Sequence, residues 1–390
     1  MDSYGNSLFW KMAYFLIVEQ DYQIIQMREQ RREMLLENLS NKLAPVIRLT
    51  ANELNWGSLV RKDIERVSLI GESLRKQLGR RRLTVINMYI SPYPPVDEYE
   101  TYIDEPFYFP KGKKTRVDSL LIVKDELAEA RQSLDQLFPE EIDADFFNEA
   151  TEEETAAYHR AALAHSLKRS EEEKKVFEFS TPFFSHAFIA IQVLVFLLLE
   201  VSGGSTNSLN LIRFGAKFNP LILEGEWWRF FTPIFLHIGF LHLLMNTFAL
   251  YFLGTAVERI FGRFRFLLIY LFSGFVGTLA SFVMNDSLSA GASGAIFGCF
   301  GALLYFGVVY PRLFFRTMGM NIIILIVINL VFGFTVPGID NAGHIGGLIG
   351  GFLAAGVVNL PAKKKRALQL AFLLGAVALS AGGLYLGYSQ

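Results

Sequence analysis

Four residues in the second half of this 390-residue sequence are of types that together can hydrolyse an amide. Ser293 stands in Gly291-Ala292-Ser293-Gly294, at the mouth of an apolar segment that runs to about Tyr310, and His344 stands in Gly343-His344-Ile345-Gly346-Gly347. A serine hydroxyl is a weak nucleophile at neutral pH until a base accepts its proton, and histidine is the side chain with a suitable pKa. His242 and Asn246 are four residues apart, hence on one helix face, where both can donate hydrogen bonds to one point. Two preorganised donors aimed at a developing alkoxide form an oxyanion hole, each contributing about 3 kcal/mol to transition-state stabilisation. His237 would stand about 140° from His242 around such a helix, which suits it to bracing the loop rather than touching the reacting atom.

The elements that must position these residues read as membrane helices. Mean hydropathy is +0.30, unusual for a soluble chain, and a membrane helix needs roughly 20 mostly apolar residues. Seven segments qualify: about 183–200, 234–256, 264–284, 293–310, 318–336, 342–360 and 367–387. Short cytoplasmic loops are enriched in Lys and Arg. Lys168, Arg169, Lys174 and Lys175 precede the first segment; Arg259, Arg263 and Arg265 join the second to the third; Arg312 and Arg316 join the fourth to the fifth; Lys363 to Arg366 join the sixth to the seventh. The expectation is a multi-pass membrane protein with its N-terminus in the cytoplasm and its C-terminus, after the seventh helix, outside. His242, Ser293 and His344 then all lie near the outer ends of helices two, four and six, at one depth. Gly294, Gly298 and Gly301 thin one side of helix four, and His344, Gly347 and Gly351 form one stripe of helix six. Small residues of this kind let membrane helices approach closely enough for a short serine to reach a histidine nitrogen. Trp228-Arg229, closing the polar loop from Ser202 to Thr232, reads either as an interfacial anchor or as a lateral wall of the site.

Charge divides the chain. Residues 1–180 carry 25 of the 37 basic and 32 of the 38 acidic residues, net −7, whereas 181–390 carry net +6 and 27 of the 32 glycines. An acidic soluble domain therefore precedes a glycine-rich membrane domain. In the soluble part, Tyr22–Met27, Met34–Leu39, Val46–Leu49, Leu83–Ile90 and Leu120–Val123 suggest strands. Val60, Ile64, Val67, Gly71, Leu74 and Leu78 place a sheet-facing stripe on a helix from about Asn55 to Leu78, ended by Gly79, and Asp125–Leu137 reads as a further helix. The expected organisation is a cytoplasmic α/β domain over 1–138, an acidic helical linker over 139–180, six membrane helices over 181–361 and a seventh over 362–390. The apolar patch from Leu8 to Val18 is short, is broken by Lys11 and lacks a small-residue cleavage site, so no cleavable signal peptide is expected.

Several other functions are disfavoured. Arg80-Arg81-Arg82 is a three-residue run in a domain of net −7 and reads as a solvated helix end, so nucleic acid is not an expected partner. Cys299, the single cysteine, lies in an apolar run and reads as a packing residue. A zinc site from His237, His242 and His344 lacks a His-Glu-x-x-His arrangement and any following carboxylate, so neither metal nor cofactor is expected for catalysis. Asp340, one turn before His344, suits a helix cap better than a third catalytic member, which favours a dyad. The carboxylates between Asp143 and Glu154, with His159 and His165, suggest a solvated linker or else a weak divalent-cation site in the acidic N-terminal region. A transporter would call for charges deep in the helices, and the sequence places none there.

At these residues the chain resembles the rhomboid intramembrane serine proteases. The resemblance rests on Gly-x-Ser-Gly at Gly291–Gly294, on His237, His242 and Asn246 in His-x4-His-x3-Asn, on Trp228-Arg229, and on His344, Gly347 and Gly351 in His-x2-Gly-x3-Gly. It covers about residues 180–360, looks like the six-plus-one class, and with the N-terminal soluble domain looks like the GluP-type rhomboids of Gram-positive bacteria, which implies the bacterial plasma membrane. The resemblance implies a membrane all-α core of six helices plus one, with Ser293 as nucleophile and His344 as general base and acid. His242, Asn246 and the Ser293 amide would form the oxyanion hole, and the substrates would be transmembrane segments of other membrane proteins in the bilayer. Phe297 stands where many bacterial members have a tyrosine stacked on the catalytic histidine, and Gly343 where alanine commonly precedes it. GluP-type members typically continue into a C-terminal soluble repeat domain, whereas this sequence stops at Gln390. The alternative is a catalytically inactive rhomboid-like protein that binds membrane clients, a role that requires neither Ser293 nor His344.

Overall fold

The structure, a computed structural model, describes residues 3–52, 54–109, 112–124, 126–138, 142–361 and 365–389. Asp125, Lys363 and Lys364, which figure in the expectations above, lie outside the described residues, as do the first residues of the acidic stretch, 139–141. The chain divides into two compact units, residues 1–172 and 173–390.

In the first unit the elements run α1 (Ser3–Tyr14), β1 (Gln23–Arg28), β2 (Glu33–Glu37), β3 (Val46–Thr50), α2 (Gly57–Gln77), β4 (Leu83–Ser91), α3 (Glu100–Asp104), β5 (Phe107–Tyr108), β6 (Thr115–Val123), α4 (Leu127–Leu137) and α5 (Glu152–Phe177). The strands form one mixed sheet in the order β1-β2-β3-β4-β6-β5. Central strands β3 and β4 pair in parallel and are buried along nearly their whole length, as strands covered on both faces must be. Alternation splits their side chains. Ile47, Leu49, Ile86, Met88 and Ile90 pack with α1, α4 and Ala162 of α5, whereas Val46, Val85 and Tyr89 meet the stripe Val60, Ile64 and Val67 of α2. Gly79, at φ +63°, closes α2 in the left-handed conformation that glycine adopts without cost. Arg48, on the α2 side, is buried and satisfied by Glu33 at 2.6 Å, Asp63 at 2.7 Å and Asn87 at 2.8 Å.

Two features depart from the sequence pattern. Strand β6 begins at Thr115 rather than Leu120, because the polar run Thr115-Arg116-Val117-Asp118-Ser119 hides a strand that pairs with β4 from Leu83↔Thr115 onward. The patch around Leu8 is a core helix, with Leu8, Phe9, Met12 and Ala13 all buried. Part of the acidic stretch also belongs to this core: Ala162 is fully buried, and His159 stacks on Trp10 with ring centroids 3.7 Å apart.

In the second unit the elements are α6 (Phe184–Val201), short α7 (Ser208–Arg213) and α8 (Asn219–Leu223), α9 (Phe240–Ala249) continuing through a π-turn into α10 (Thr255–Phe261), α11 (Arg263–Met284), α12 (Ser293–Val309), α13 (Pro311–Thr317), α14 (Gly319–Thr335), α15 (Asn341–Val358) and α16 (Arg366–Tyr388). Among the described residues five helices are long and apolar enough to cross a membrane: α6, the continuous 240–261 run, α11, α15 and α16. Helices α13 and α14 meet the same test together but are bent by 71°. The second segment starts six residues later than the hydropathy suggests, because Pro233 lies in a short 3-10 turn and Gly239, at φ +78°, breaks the helix before Phe240. Helix α12 has 17 residues, about 26 Å at 1.5 Å per residue, which is short of the roughly 30 Å hydrocarbon core.

A buried carboxylate ties two of these helices together. Glu258 accepts hydrogen bonds from the backbone N–H groups of Phe183, Phe184 and Ser185 at 2.8, 2.8 and 2.9 Å and from the Ser185 hydroxyl at 2.6 Å. The carboxylate thereby satisfies the orphan donors at the start of α6.

Candidate active site

The site is built on a seam of glycines where α11, α12 and α15 meet. A Cβ placed on Gly277 would lie 2.8 Å from the Gly343 carbonyl oxygen and 3.3 Å from Gly294 Cα. One placed on Gly347 would lie 2.7 Å from the Gly294 carbonyl carbon, and Gly351 is pressed as closely against the backbone of Gly298. Backbone thus touches backbone, which only small residues permit. Ser293 is the first residue of α12 and His344 the fourth of α15, so both sit at the mouth of this seam. Phe297, one turn below Ser293 on the same face, lies flat on the His344 ring with centroids 4.3 Å apart and planes at 11°. Such a pair contributes about 0.5–1.5 kcal/mol and fixes the imidazole plane. None of the described hydrogen bonds joins the Ser293 hydroxyl to His344.

Across from His344 stands His242, the third residue of α9. The Ile238 N–H donates to its Nδ1 at 3.3 Å, so a neutral His242 carries its proton on Nε2. That nitrogen faces Gly291: a Cβ there would lie 2.9 Å from His242 Nε2 and 3.8 Å from Ser293 Oγ. Gly291 also has φ +146°, so its backbone as well as its surroundings favour glycine. Its N–H donates to the Pro233 carbonyl at 2.9 Å. The Asn246 amide donates one hydrogen to the His242 carbonyl at 2.9 Å, leaving its second hydrogen for another acceptor. His237 is fully buried and stands edge-on to His242, with centroids 5.3 Å apart. It precedes α9, so its direction is set by the loop and not by the helical angle drawn between it and His242.

Arg229 points inward. Its guanidinium donates to the Ile212 and Ala216 carbonyls at 2.8 and 2.9 Å and pairs with Glu226, while the rings of Trp227 and Trp228 stay exposed. Arg229 therefore staples the long loop from within, and Trp228 does not share that role.

Residues 224–360 match the family model of the rhomboid domain. Over 391 aligned residues the chain is 45% identical to the rhomboid protease GluP of Bacillus subtilis (strain 168), covering 97% of this chain and 74% of that protein. The chain belongs to the rhomboid family. This rhomboid is also 40% identical over 138 residues to the putative rhomboid protease YdcA of the same strain, which spans 35% of the chain and 69% of that protein. It is 39% identical over 155 residues to RHOMBOID-like protein 5 of Arabidopsis thaliana, spanning 38% of the chain and 50% of that protein. It is a rhomboid of the GluP type, a multi-pass membrane protein and an intramembrane serine protease.

Sequence reasoning expected Asp340 as the cap of the sixth membrane helix but passed over its bond to Ser289, and it passed over Gly277 and Lys217. Gly277 supplies the third backbone of the seam, and its signal was present in Ser-Gly-x-x-Gly at 273–277. Asp340 caps α15 by accepting from the Gly343 N–H at 3.0 Å, and its other oxygen accepts from the Ser289 hydroxyl at 2.8 Å. Lys217 is fully buried beside the loop that leads to Ser293. A correction concerns cations. Among the described residues no three His, Cys, Asp or Glu side chains are grouped to hold a metal ion, so the weak divalent-cation site expected in the acidic stretch is not supported. Its groups are spent otherwise: Glu154 folds back on Thr151, Asp145 accepts from Asn148, and Glu149 pairs with Lys124.

Proposed function

We propose that this rhomboid cleaves transmembrane segments of membrane proteins with a Ser293–His344 dyad, through an acyl-enzyme. As Ser293 Oγ attacks the scissile carbonyl carbon, His344 takes its proton; the carbonyl oxygen becomes an oxyanion that accepts from His242 Nε2–H, the free Asn246 amide hydrogen and the Ser293 N–H. His344 then protonates the leaving amine as the C–N bond breaks, leaving an ester on Ser293. A water, deprotonated by His344, attacks the ester carbon; as the ester C–O bond breaks, His344 returns the proton to Ser293 Oγ and the new carboxyl terminus leaves. Asp340 is engaged by Gly343 and Ser289, which favours two catalytic members over three.

The observation that supports this reading is the stack of Phe297 on His344 beside the Gly294–Gly347 backbone contact, which brings the helix starts bearing Ser293 and His344 to one seam. A second support is directional. His242, Ser293 and His344 lie in the first turns of α9, α12 and α15, so three positive helix ends converge where negative charge develops. Counting α12 and the bent α13–α14 pair as spans gives six helices plus one. Arg263 donates to the Thr181 carbonyl and Arg265 to that of Val358, so the arginine-bearing loop gathers at the end opposite the site. With basic loops inside, the N-terminus is cytoplasmic and the dyad opens outward.

Purified wild type, Ser293→Ala and His344→Ala should be compared on a model transmembrane substrate in liposomes. Both variants are expected to be inactive, and cleavage persisting in Ser293→Ala would sink the mechanism. A fluorophosphonate should label wild type and leave Ser293→Ala unlabelled.

A further inference from the structure

Lys217 lies between α7 and α8, is fully buried, and among the described residues makes no ion pair. Its backbone forms an antiparallel bridge with Ser289, N–H to carbonyl at 2.9 and 3.1 Å in the two directions. Its Nζ donates to the carbonyls of Asn285 and Ser287, the latter at 3.1 Å. Two residues on, the Asn219 amide donates to the Phe282 carbonyl at 3.1 Å and to Asp286 Oδ1 at 3.0 Å. The short segment 217–219 therefore grips the connection from the end of α11 to Ser289. Four residues beyond Ser289 is Ser293. From Ser289 the hydroxyl reaches Asp340, whose carboxylate caps the helix bearing His344. Lys217 thus holds, by its ammonium and its backbone, the loop that leads to Ser293, and through Ser289 that loop meets the cap of the helix bearing His344.

Burying an ammonium on neutral carbonyls is costly, and an apolar side chain of similar length would be tolerated at least as well if stability were the only demand. We propose that Lys217 is a positioning residue for proteolysis: it holds loop 285–289 so that Ser293 and, through Ser289 and Asp340, the start of α15 keep their register. This rests on the reading of Ser293 and His344 as the dyad. Two carboxylates face the ammonium, Asp286 from the loop and Asp340 from the cap of α15; burial outweighs them and pushes the Lys217 amine down to about 8. The charged form is thus present at neutral pH and is lost as pH rises through about 8. With it go one donor and the charge that strengthens the remaining bonds.

The test uses the full chain in liposomes, with kcat expressed per site titrated by a fluorophosphonate. Lys217→Met is expected to lower kcat by about 10- to 100-fold with KM within about twofold, as a register error of a fraction of an ångström requires. Wild type should lose kcat on the alkaline side near pH 8, and Lys217→Arg, which stays charged, should recover much of the rate and move that limb to higher pH. A purely architectural role would reduce the number of titratable sites while leaving kcat per site and the alkaline limb unchanged, and that result overturns the proposal. Should Lys217→Met fail to fold, Ser289→Ala decides, because it removes one hydroxyl from the same chain: unchanged kcat per site overturns the coupling. Cleavage or labelling in Ser293→Ala would instead refute the dyad itself, so the two failures are distinguishable.

Discussion

Gly347→Ala tests whether backbone contact is what aligns the proposed Ser293–His344 dyad. The added Cβ would stand 2.7 Å from the Gly294 carbonyl carbon and 3.0 Å from Gly294 Cα, against an ordinary contact that begins at 3.4 Å. The Gly294 carbonyl oxygen lies closer still; all these obstacles are backbone, so no rotamer change can absorb the overlap, and α15 must retreat from α12 by about 1 Å or more. His344 is three residues before Gly347 and moves with it. A displacement on the order of 1 Å between reacting groups costs about 10²-fold in rate, and overpacking of this kind costs about 1–3 kcal/mol in stability. The expected outcome is therefore a fall in kcat/KM of roughly two orders of magnitude in a protein that still unfolds cooperatively. Initial rates on a fluorogenic transmembrane substrate in liposomes measure the first, and thermal unfolding in detergent the second. Gly382→Ala is the control, because nothing lies within 4 Å of its new Cβ. Rates within threefold of wild type for both variants would refute the seam as the aligning element.

Other consequences concern stability. Glu258→Ala should lower the thermal midpoint markedly, by the equivalent of about 3 kcal/mol or more, since it strands three backbone donors at the start of α6; an unchanged midpoint would contradict that capping role. Arg229→Lys should cost about 1–3 kcal/mol, because a single ammonium cannot reproduce the fork that binds two carbonyls and Glu226; the thermal midpoint of the purified variant checks it. Arg75, followed by Thr115, holds the Glu72 carboxyl down at about 2. A group whose folded pKa is depressed stabilises above its unfolded value near 4.5 and loses that contribution as pH falls towards 2. Urea unfolding, followed by the signal of the soluble unit between about pH 5 and 2, should therefore be less pH-dependent in Glu72→Gln, and equal slopes would show that Glu72 contributes nothing.

Much of the fold was legible because period and charge survive in the sequence. The α2 stripe from Val60 to Leu78 faces the sheet, and the strands at 23–28, 33–37, 46–50 and 83–91 fall within a few residues of their apolar runs. The features that stay hidden are those whose local composition is contradicted by tertiary context. Strand β6 carries Thr115, Arg116, Asp118 and Ser119, and it is a strand because β4 offers it an unpaired edge. Helix α1 resembles a failed targeting segment because its apolar residues are few, yet they help to fill the sheet face opposite α2. Hydropathy also cannot show where a helix starts: the second membrane segment is apolar from Ile234, and only the conformations at Pro233 and Gly239 delay the helix to Phe240.

Within the proposed site, the residue types stand out in the sequence and the contacts between distant residues do not. Ser293, His344, His242 and Asn246 are rare types in an apolar setting, and the glycines around them advertise close approach. Ser289 and Asp340, by contrast, are ordinary loop residues 51 positions apart, and Lys217 is 68 positions from the Asn285 carbonyl it binds. Nothing in their spacing points from one to the other. The distinction has a physical basis. The contact between α12 and α15 is backbone on backbone and therefore stiff, so it fixes the lower part of the site and leaves a trace in the sequence as glycine. The loop that delivers Gly291 and Ser293 is anchored by Leu288 and Ala290 in a small apolar cluster and by hydrogen bonds to its carbonyls, which any residue can supply as acceptor. A buried lysine is the trace that this second kind of support leaves, and its burial, which lowers the pKa of its amine to about 8, ties that support to pH.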